Sequence, residues 1–157
     1  MSTLLTDADI AKLIGERKQL PASYTAKLGL KDKRGHKERE LDITGENGSV
    51  FRLILRQSSS NILDFSAILA YLPEDSNQTF RLRRCNGKSH EHTNKLEHQT
   101  FYDFHIHYAT ERYQTSGLRE DAYAIPTDKY ADFHGALRCL LDECSFDEPV
   151  DPNLLLF

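Results

Sequence analysis

The chain has 157 residues, of which 39% are hydrophobic and 28% charged, with a formal net charge of −4. This length and composition predict one soluble globular domain with its own core, and they exclude a disordered or collagen-like chain. No apolar run approaches the ~20 residues that span a bilayer, and the amino terminus shows no signal-peptide pattern, so we expect a cytoplasmic protein that does not enter a membrane.

The first predicted element is a helix over residues 7–19. Thr6 is a suitable N-cap, Asp7 and Asp9 lie in the first turn, and Pro21 ends the segment. Apolar segments separated by turn residues then predict six strands, at 39–44, 50–57, 62–71, 79–85, 101–113 and 121–125. Because strands joined by short turns pair antiparallel, we expect a single twisted antiparallel sheet of about five or six strands.

A second predicted helix begins at Pro126 and ends near Cys144. Its apolar stripe at helical spacing includes His134, which we therefore expect to be a core residue. With the two terminal helices packed on one face of the sheet, residues 1–146 form a single α+β domain. Residues 147–157 form an acidic tail whose apolar end is a candidate for docking on this domain or on a partner. The candidate partner-binding residues are Leu154, Leu155, Leu156 and Phe157.

Five of the seven histidines lie between residues 90 and 107. On a regular strand over 101–113, alternate side chains share a face, so His105 and His107 lie beside Glu111 and Tyr113. The opposite, even-numbered face is apolar and is predicted to pack on the core. The candidate catalytic residues are therefore His90, His92, His105, His107, Glu111 and Tyr113.

This histidine array has three interpretations. Paired imidazoles can transfer protons in metal-independent cleavage of a phosphodiester. Alternatively, two histidines two residues apart on a strand can hold one metal ion with a third ligand from His90, His92 or Glu111. The spacing matches no established zinc signature, so no cofactor is favoured, and zinc or another divalent metal stays an alternative. The third interpretation is a structural ladder of polar side chains.

Basic residues concentrate near the fourth predicted strand and could hold a phosphate or nucleic acid. The candidates for this role are Arg81, Arg83, Arg84, Lys88 and Arg112.

Four segments between residues 80 and 113 carry a resemblance to a protein family. They are 80–84 (FRLRR), 86–94 (NGKSHEHTN), 104–107 (FHIH) and 109–113 (ATERY). Residues 80–146 resemble a family of small uncharacterised bacterial and phage proteins, a domain of unknown function. The resemblance implies a prokaryotic or phage setting and transfers no activity and no functional residues.

Taken together, the sequence favours a small interaction protein that binds a protein or nucleoprotein partner, in a toxin–antitoxin or anti-defence role. The alternatives are a metal-independent histidine nuclease acting on RNA or DNA, and a histidine-ligated metalloprotein. The sequence leaves the oligomeric state open, a homodimer included.

Overall fold

The computed structural model describes residues 4–22, 24 and 30–149. Three helices lie in this part of the chain: α1 (Asp7–Gly15), α2 (Glu111–Thr115) and α3 (Phe133–Glu143). The strands are β1 (Lys18–Gln19), β2 (Lys31–Lys33), β3 (His36–Thr44), β4 (Val50–Ser58), β5 (Phe65–Tyr71), β6 (Phe80–Asn86), β7 (His92–Asn94), β8 (Gln99–Phe101), β9 (His105–Tyr108), β10 (Tyr123–Pro126) and β11 (Phe146–Asp147).

Seven strands form one antiparallel sheet in the order β10-β9-β6-β5-β4-β3-β2. The four long strands β3 to β6 form a meander, and β9 and β10 extend the sheet beyond β6. Two short pairs lie outside this sheet: the β7–β8 hairpin and the parallel pair β1–β11. The predicted α+β fold with one antiparallel sheet is confirmed, with seven strands in the sheet. No helix among the described residues has the length and apolar character needed to cross a membrane.

One face of the sheet carries the main core. Phe51, Leu53 and Leu55 alternate along β4 and are at most 1% exposed. Ile10 of α1 and Leu140 of α3 belong to the same buried cluster. Both terminal helices thus pack on this face, as the amphipathic patterns predicted.

The other face is polar near its middle, and the strand registers align its side chains in two rows. Each row contains one residue from each of β4, β5, β6 and β9, and each residue is paired directly with the next. Directly paired residues point to the same side of a sheet, so all members of a row share this face. The first row is Arg56, Ser66, Asn86 and His105, and the second is Ile54, Ile68, Arg84 and His107. This polar face holds the site described below.

The long strand predicted over 101–113 is wrong in its extent. The sheet strand β9 contains only His105–Tyr108, and the chain enters α2 at Glu111. Thr110 is the N-cap of α2, where its hydroxyl accepts a hydrogen bond from the Tyr113 N–H at 3.2 Å. Glu111 and Tyr113 therefore do not continue the strand face of the histidines, because a cap interrupted the extended chain before them.

Both predicted helices are shorter than expected at one end. Helix α1 stops at Gly15, because residues 18–19 pair with residues 146–147. Helix α3 begins at Phe133, after an Asp132 N-cap whose carboxylate accepts from the Gly135 N–H at 2.7 Å. Pro126, where the helix was predicted to begin, is the last residue of β10, and β10 corresponds to the strand predicted at 121–125. The prediction that His134 is a core residue is wrong, since its side chain is exposed.

Lys18 joins the ends of the two terminal helices. It is 0% exposed, and its ammonium lies 2.7–3.1 Å from the carbonyl oxygens of Leu13, Ile14, Glu16 and Cys144. Burial lowers the pKa of Lys18 to about 8, so the group is charged at pH 7. A cation at these carbonyls compensates the negative ends of both helix dipoles.

The tail is described only to residue 149. Its first residues are held in place, because Asp147 of β11 accepts hydrogen bonds from the Arg17 guanidinium at 2.5 and 3.1 Å. The apolar residues 154–157, which were predicted to bind a partner, lie outside the described residues.

Candidate metal centre

The β7–β8 hairpin covers the polar face of the sheet at β9. His105 and His107 are therefore only 1% and 4% exposed. His92 of the hairpin packs against both rings, and Phe101 lies 5.6 Å from His105 between ring centroids. The polar segment 88–100, which the sequence left unassigned, supplies this cover.

His92, His105 and His107 form a compact group, here named the histidine cluster. One ring nitrogen from each lies within 4.8 Å of the others. The ring centroids are 4.9, 5.0 and 5.3 Å apart. With Zn–N bonds of about 2.0–2.1 Å, a tetrahedral zinc ion would hold three imidazole centroids roughly 5 Å apart. The separations of the ring centroids thus match those of three imidazole ligands on one ion.

Hydrogen bonds fix the tautomer of each ring in the cluster. The Nδ1–H of His105 donates to the Asp103 carbonyl at 2.8 Å, and the Nδ1–H of His107 donates to the Asp121 carbonyl at 2.7 Å. A carbonyl oxygen only accepts, so each of these rings keeps its lone pair on Nε2. Histidines that bind metals are held in this way, with the second N–H on a carbonyl or carboxylate.

Asn94 orients the third ring. Its Oδ1 accepts from the Ala124 N–H at 2.9 Å and lies 2.8 Å from His92 Nε2, while its Nδ2 donates to the Ala124 carbonyl at 2.7 Å. Because Oδ1 can only accept, His92 donates through Nε2 and keeps its lone pair on Nδ1. Each of the three rings therefore has one free lone pair.

His105 Nε2 is the atom that most directly indicates a metal ion at the cluster. It is buried and has no hydrogen-bond partner among the described residues. Leaving a buried polar atom unpaired costs about 1–3 kcal/mol, so such atoms in a native structure call for an explanation. A metal ion bound at this nitrogen would remove the deficit.

The buried rings are neutral at pH 7. Burial lowers the pKa of His105 to about 4, and burial together with the nearby Arg84 lowers the pKa of His107 to about 2. Neutral imidazoles are the form that binds metals. Rings that stay neutral and are held by backbone carbonyls are less suited to carrying protons, which favours the metal interpretation over the acid–base one.

A cavity of about 470 Å³ borders the cluster, and His92 and His107 line it. Its wall carries more positive than negative side chains. The cations are Arg56, Arg84, Lys95 and Arg119, and the carboxylates are Asp64 and Asp121. Asp121 is fully buried, and its Oδ2 lies 3.3 Å from the Arg84 guanidinium.

Three of the other predicted site residues reach this cavity. His90 lies 6.4 Å from His105 between ring centroids and is exposed. Tyr113 lines the cavity from α2, and its hydroxyl donates to Glu97 at 2.5 Å. Arg84 enters from β6, opposite His107 in the register.

The remaining candidates point elsewhere. Arg83 lies on the helix face, where it pairs with Glu143 at 2.7 Å. Arg112 pairs with Glu97. The Glu111 carboxylate accepts from the Asp7 N–H at 3.2 Å. Arg81 and Lys88 are absent from the described cavity wall. Arg83 does not share a surface with Arg84, since these two neighbouring residues of β6 point to opposite faces of the sheet, and phosphate binding by the predicted arginines stays a prediction.

Three residues that matter here were missed in the sequence. Asn94 and Asp121 hold rings of the cluster, and Arg119 lines the cavity. Asn94 is two residues after His92, and a strand places side chains at this spacing on the same face. The sequence could therefore have indicated that Asn94 lies beside His92. Nothing in the sequence indicates that the Asp121 carbonyl meets His107.

No family model matches the chain, and comparisons with curated proteins and with solved structures also find no match. The resemblance of residues 80–146 to a bacterial and phage family stays a prediction. A function for this chain therefore rests on its own residues and geometry.

Proposed function

We propose that the protein is a mononuclear zinc enzyme of hydrolytic type, in which the histidine cluster holds the metal. The observation that carries this proposal is the set of three buried or half-buried imidazoles with fixed tautomers and free lone pairs. Imidazole suits zinc, copper, iron and nickel, and of these zinc is the ion for which three histidines with an open fourth position make a hydrolytic site. The cluster contains no carboxylate of the kind that non-haem iron sites use.

Three protein ligands distinguish a catalytic zinc site from a structural one. Structural sites are closed by four protein ligands, whereas catalytic sites keep one position for water or substrate. Within the described residues, the cluster offers three ligands, and two of them line the cavity. Zinc held by His92, His105 and His107 would lower the pKa of a bound water to about 7 and would so supply a nucleophile for hydrolysis at neutral pH.

Metal binding is tested with untagged protein, because an affinity tag of histidines would bind metal itself. Cobalt can replace zinc, and its visible absorption reports the coordination geometry of the site. We expect the absorption spectrum of tetrahedral cobalt, and we expect one zinc ion to bind per chain. His105→Ala and His107→Ala should abolish both. His134→Ala is the matched control, since His134 is exposed on α3, and it should bind cobalt like the wild type.

Hydrolytic activity is then measured with p-nitrophenyl acetate and bis-p-nitrophenyl phosphate, with zinc or with EDTA. Zinc-dependent turnover that His105→Ala loses and His134→Ala keeps is the expected result. Failure of the wild type to bind zinc or cobalt would refute the proposal, as would equal binding by a folded His105→Ala/His107→Ala variant.

A further inference from the structure

A zinc-loaded cavity would hold an unbalanced positive charge. Three neutral imidazoles leave the ion its charge of +2, because none of them contributes a negative ligand. The six charged side chains of the cavity wall, four basic and two acidic, add two further positive charges. Charge of one sign in a cleft with low-dielectric walls attracts the opposite charge and raises its local concentration.

Arg84 is the cation best placed to meet an anion beside the metal. Its side chain is only 17% exposed, and it pairs across the β6–β9 register with His107. Its guanidinium lies 3.3 Å from the buried Asp121 carboxylate, yet its Nε has no hydrogen-bond partner among the described residues. An arginine guanidinium presents charged donors in a planar fork, a geometry that suits the oxygens of an oxyanion.

We infer that the cavity binds the phosphate group of a small phosphorylated molecule, between the metal and Arg84. This inference rests on the proposed function, because it places the phosphate beside the zinc. A phosphate monoester carries up to two negative charges and several acceptor oxygens, so it balances the site better than a carboxylate does.

The size of the cavity favours a small molecule over a nucleic-acid strand. Its volume of about 470 Å³ falls in the range of small-ligand sites, about 300–1,000 Å³. Thr93 and Lys95 of the hairpin segment form part of its wall. A strand of nucleic acid would need an open groove with a longer basic track.

The inference is tested by calorimetry with inorganic phosphate on zinc-loaded and metal-free protein. We expect measurable binding to the zinc-loaded form and clearly weaker binding without metal. Arg84→Gln should weaken phosphate binding by about tenfold or more, as expected for losing a charged hydrogen bond. Arg138→Gln is the matched control, because Arg138 is exposed on α3 and should leave phosphate binding unchanged.

Arg84→Gln leaves Asp121 with less compensation in a buried position, so it risks misfolding. The variant Arg84→Gln/Asp121→Asn removes both charges together and keeps the test informative. Unchanged phosphate affinity in this folded double variant would overturn the inference.

Zinc and phosphate binding are measured separately, so the two proposals can fail separately. Zinc binding without phosphate binding overturns the inference alone, whereas absence of zinc binding overturns both. A ten-nucleotide single strand of DNA or RNA that binds more tightly than phosphate and depends on Arg84 overturns the assignment to a small molecule.

Discussion

Asn94 links the stability of the fold to the geometry of the histidine cluster, and its removal tests both. The residue is 1% exposed, and its amide makes two hydrogen bonds with the backbone of Ala124 on the edge strand β10. In this way a side chain satisfies the outer edge of β10, which pairs with no further strand in the part of the chain that the structure describes. The same amide oxygen accepts from His92.

The expected effect of Asn94→Ala on stability follows from the groups left behind. The Ala124 N–H and carbonyl would both lose their partner while remaining buried, at about 1–3 kcal/mol each. A loss of about 2–6 kcal/mol is a large part of the 5–15 kcal/mol that stabilises a typical domain. Since His92 would also lose its orienting bond, zinc affinity should fall about 10–100-fold.

Urea unfolding of metal-free protein measures the first effect, and zinc competition with a chromogenic chelator measures the second. Zinc is titrated under conditions where the variant is still folded, so that the two effects remain separate. Thr93→Ala is the matched control, because Thr93 is the exposed neighbour of Asn94 and its hydroxyl hydrogen-bonds to Thr100 within the same hairpin, at 3.0 Å. An Asn94→Ala variant with the wild-type midpoint and the wild-type zinc affinity would refute this account.

Two further predictions concern buried titratable groups. Lys18→Met should destabilise the domain by about 2 kcal/mol or more, because two buried carbonyls lose their donor. Urea unfolding measures this loss, with Lys12→Met as the exposed control. Equal urea midpoints for the two variants would contradict the prediction. Metal-free protein should lose stability as the pH falls below 6.5. Burial lowers the pKa of His105 to about 4 and that of His107 to about 2, so the unfolded chain takes up protons first. The stability that these two neutral histidines contribute is fully present above about pH 6.5, the pKa of a histidine in the unfolded chain. It declines as the pH falls from there through the folded-state pKa values. Urea midpoints between pH 7 and 5 in EDTA should show this slope, and His105→Asn should reduce it; identical slopes would count against the burial of His105.

The sheet was predictable because its strands obey local rules. Leu41 and Ile43 alternate with polar neighbours along β3, and the turn at residues 45–48 ends in Gly48, whose φ of +88° favours glycine. Such signals lie within a few residues of each other. The two terminal helices were also found from their apolar spacing, although each was predicted too long at one end.

The limits of the prediction arose where tertiary contacts or caps overrode a local pattern. The apolar and aromatic run through residues 101–113 favoured a single strand, but Thr110 caps a helix in its last part. Likewise, His105 and His107 were correctly placed on one face. The burial of that face could not be predicted, because it depends on a hairpin packed across the sheet. The convergence of His92 with both is a long-range property of this packing.

The most direct test of the histidine cluster as a metal site is a crystal structure of zinc-soaked, untagged protein with anomalous data on both sides of the zinc edge. We predict one strong anomalous peak per chain, about 2.0–2.1 Å from His92 Nδ1, His105 Nε2 and His107 Nε2. The fourth position of this ion should be open to the cavity. Ordered density for the three rings with no anomalous peak between them, or with zinc bound only at exposed histidines, would contradict the account.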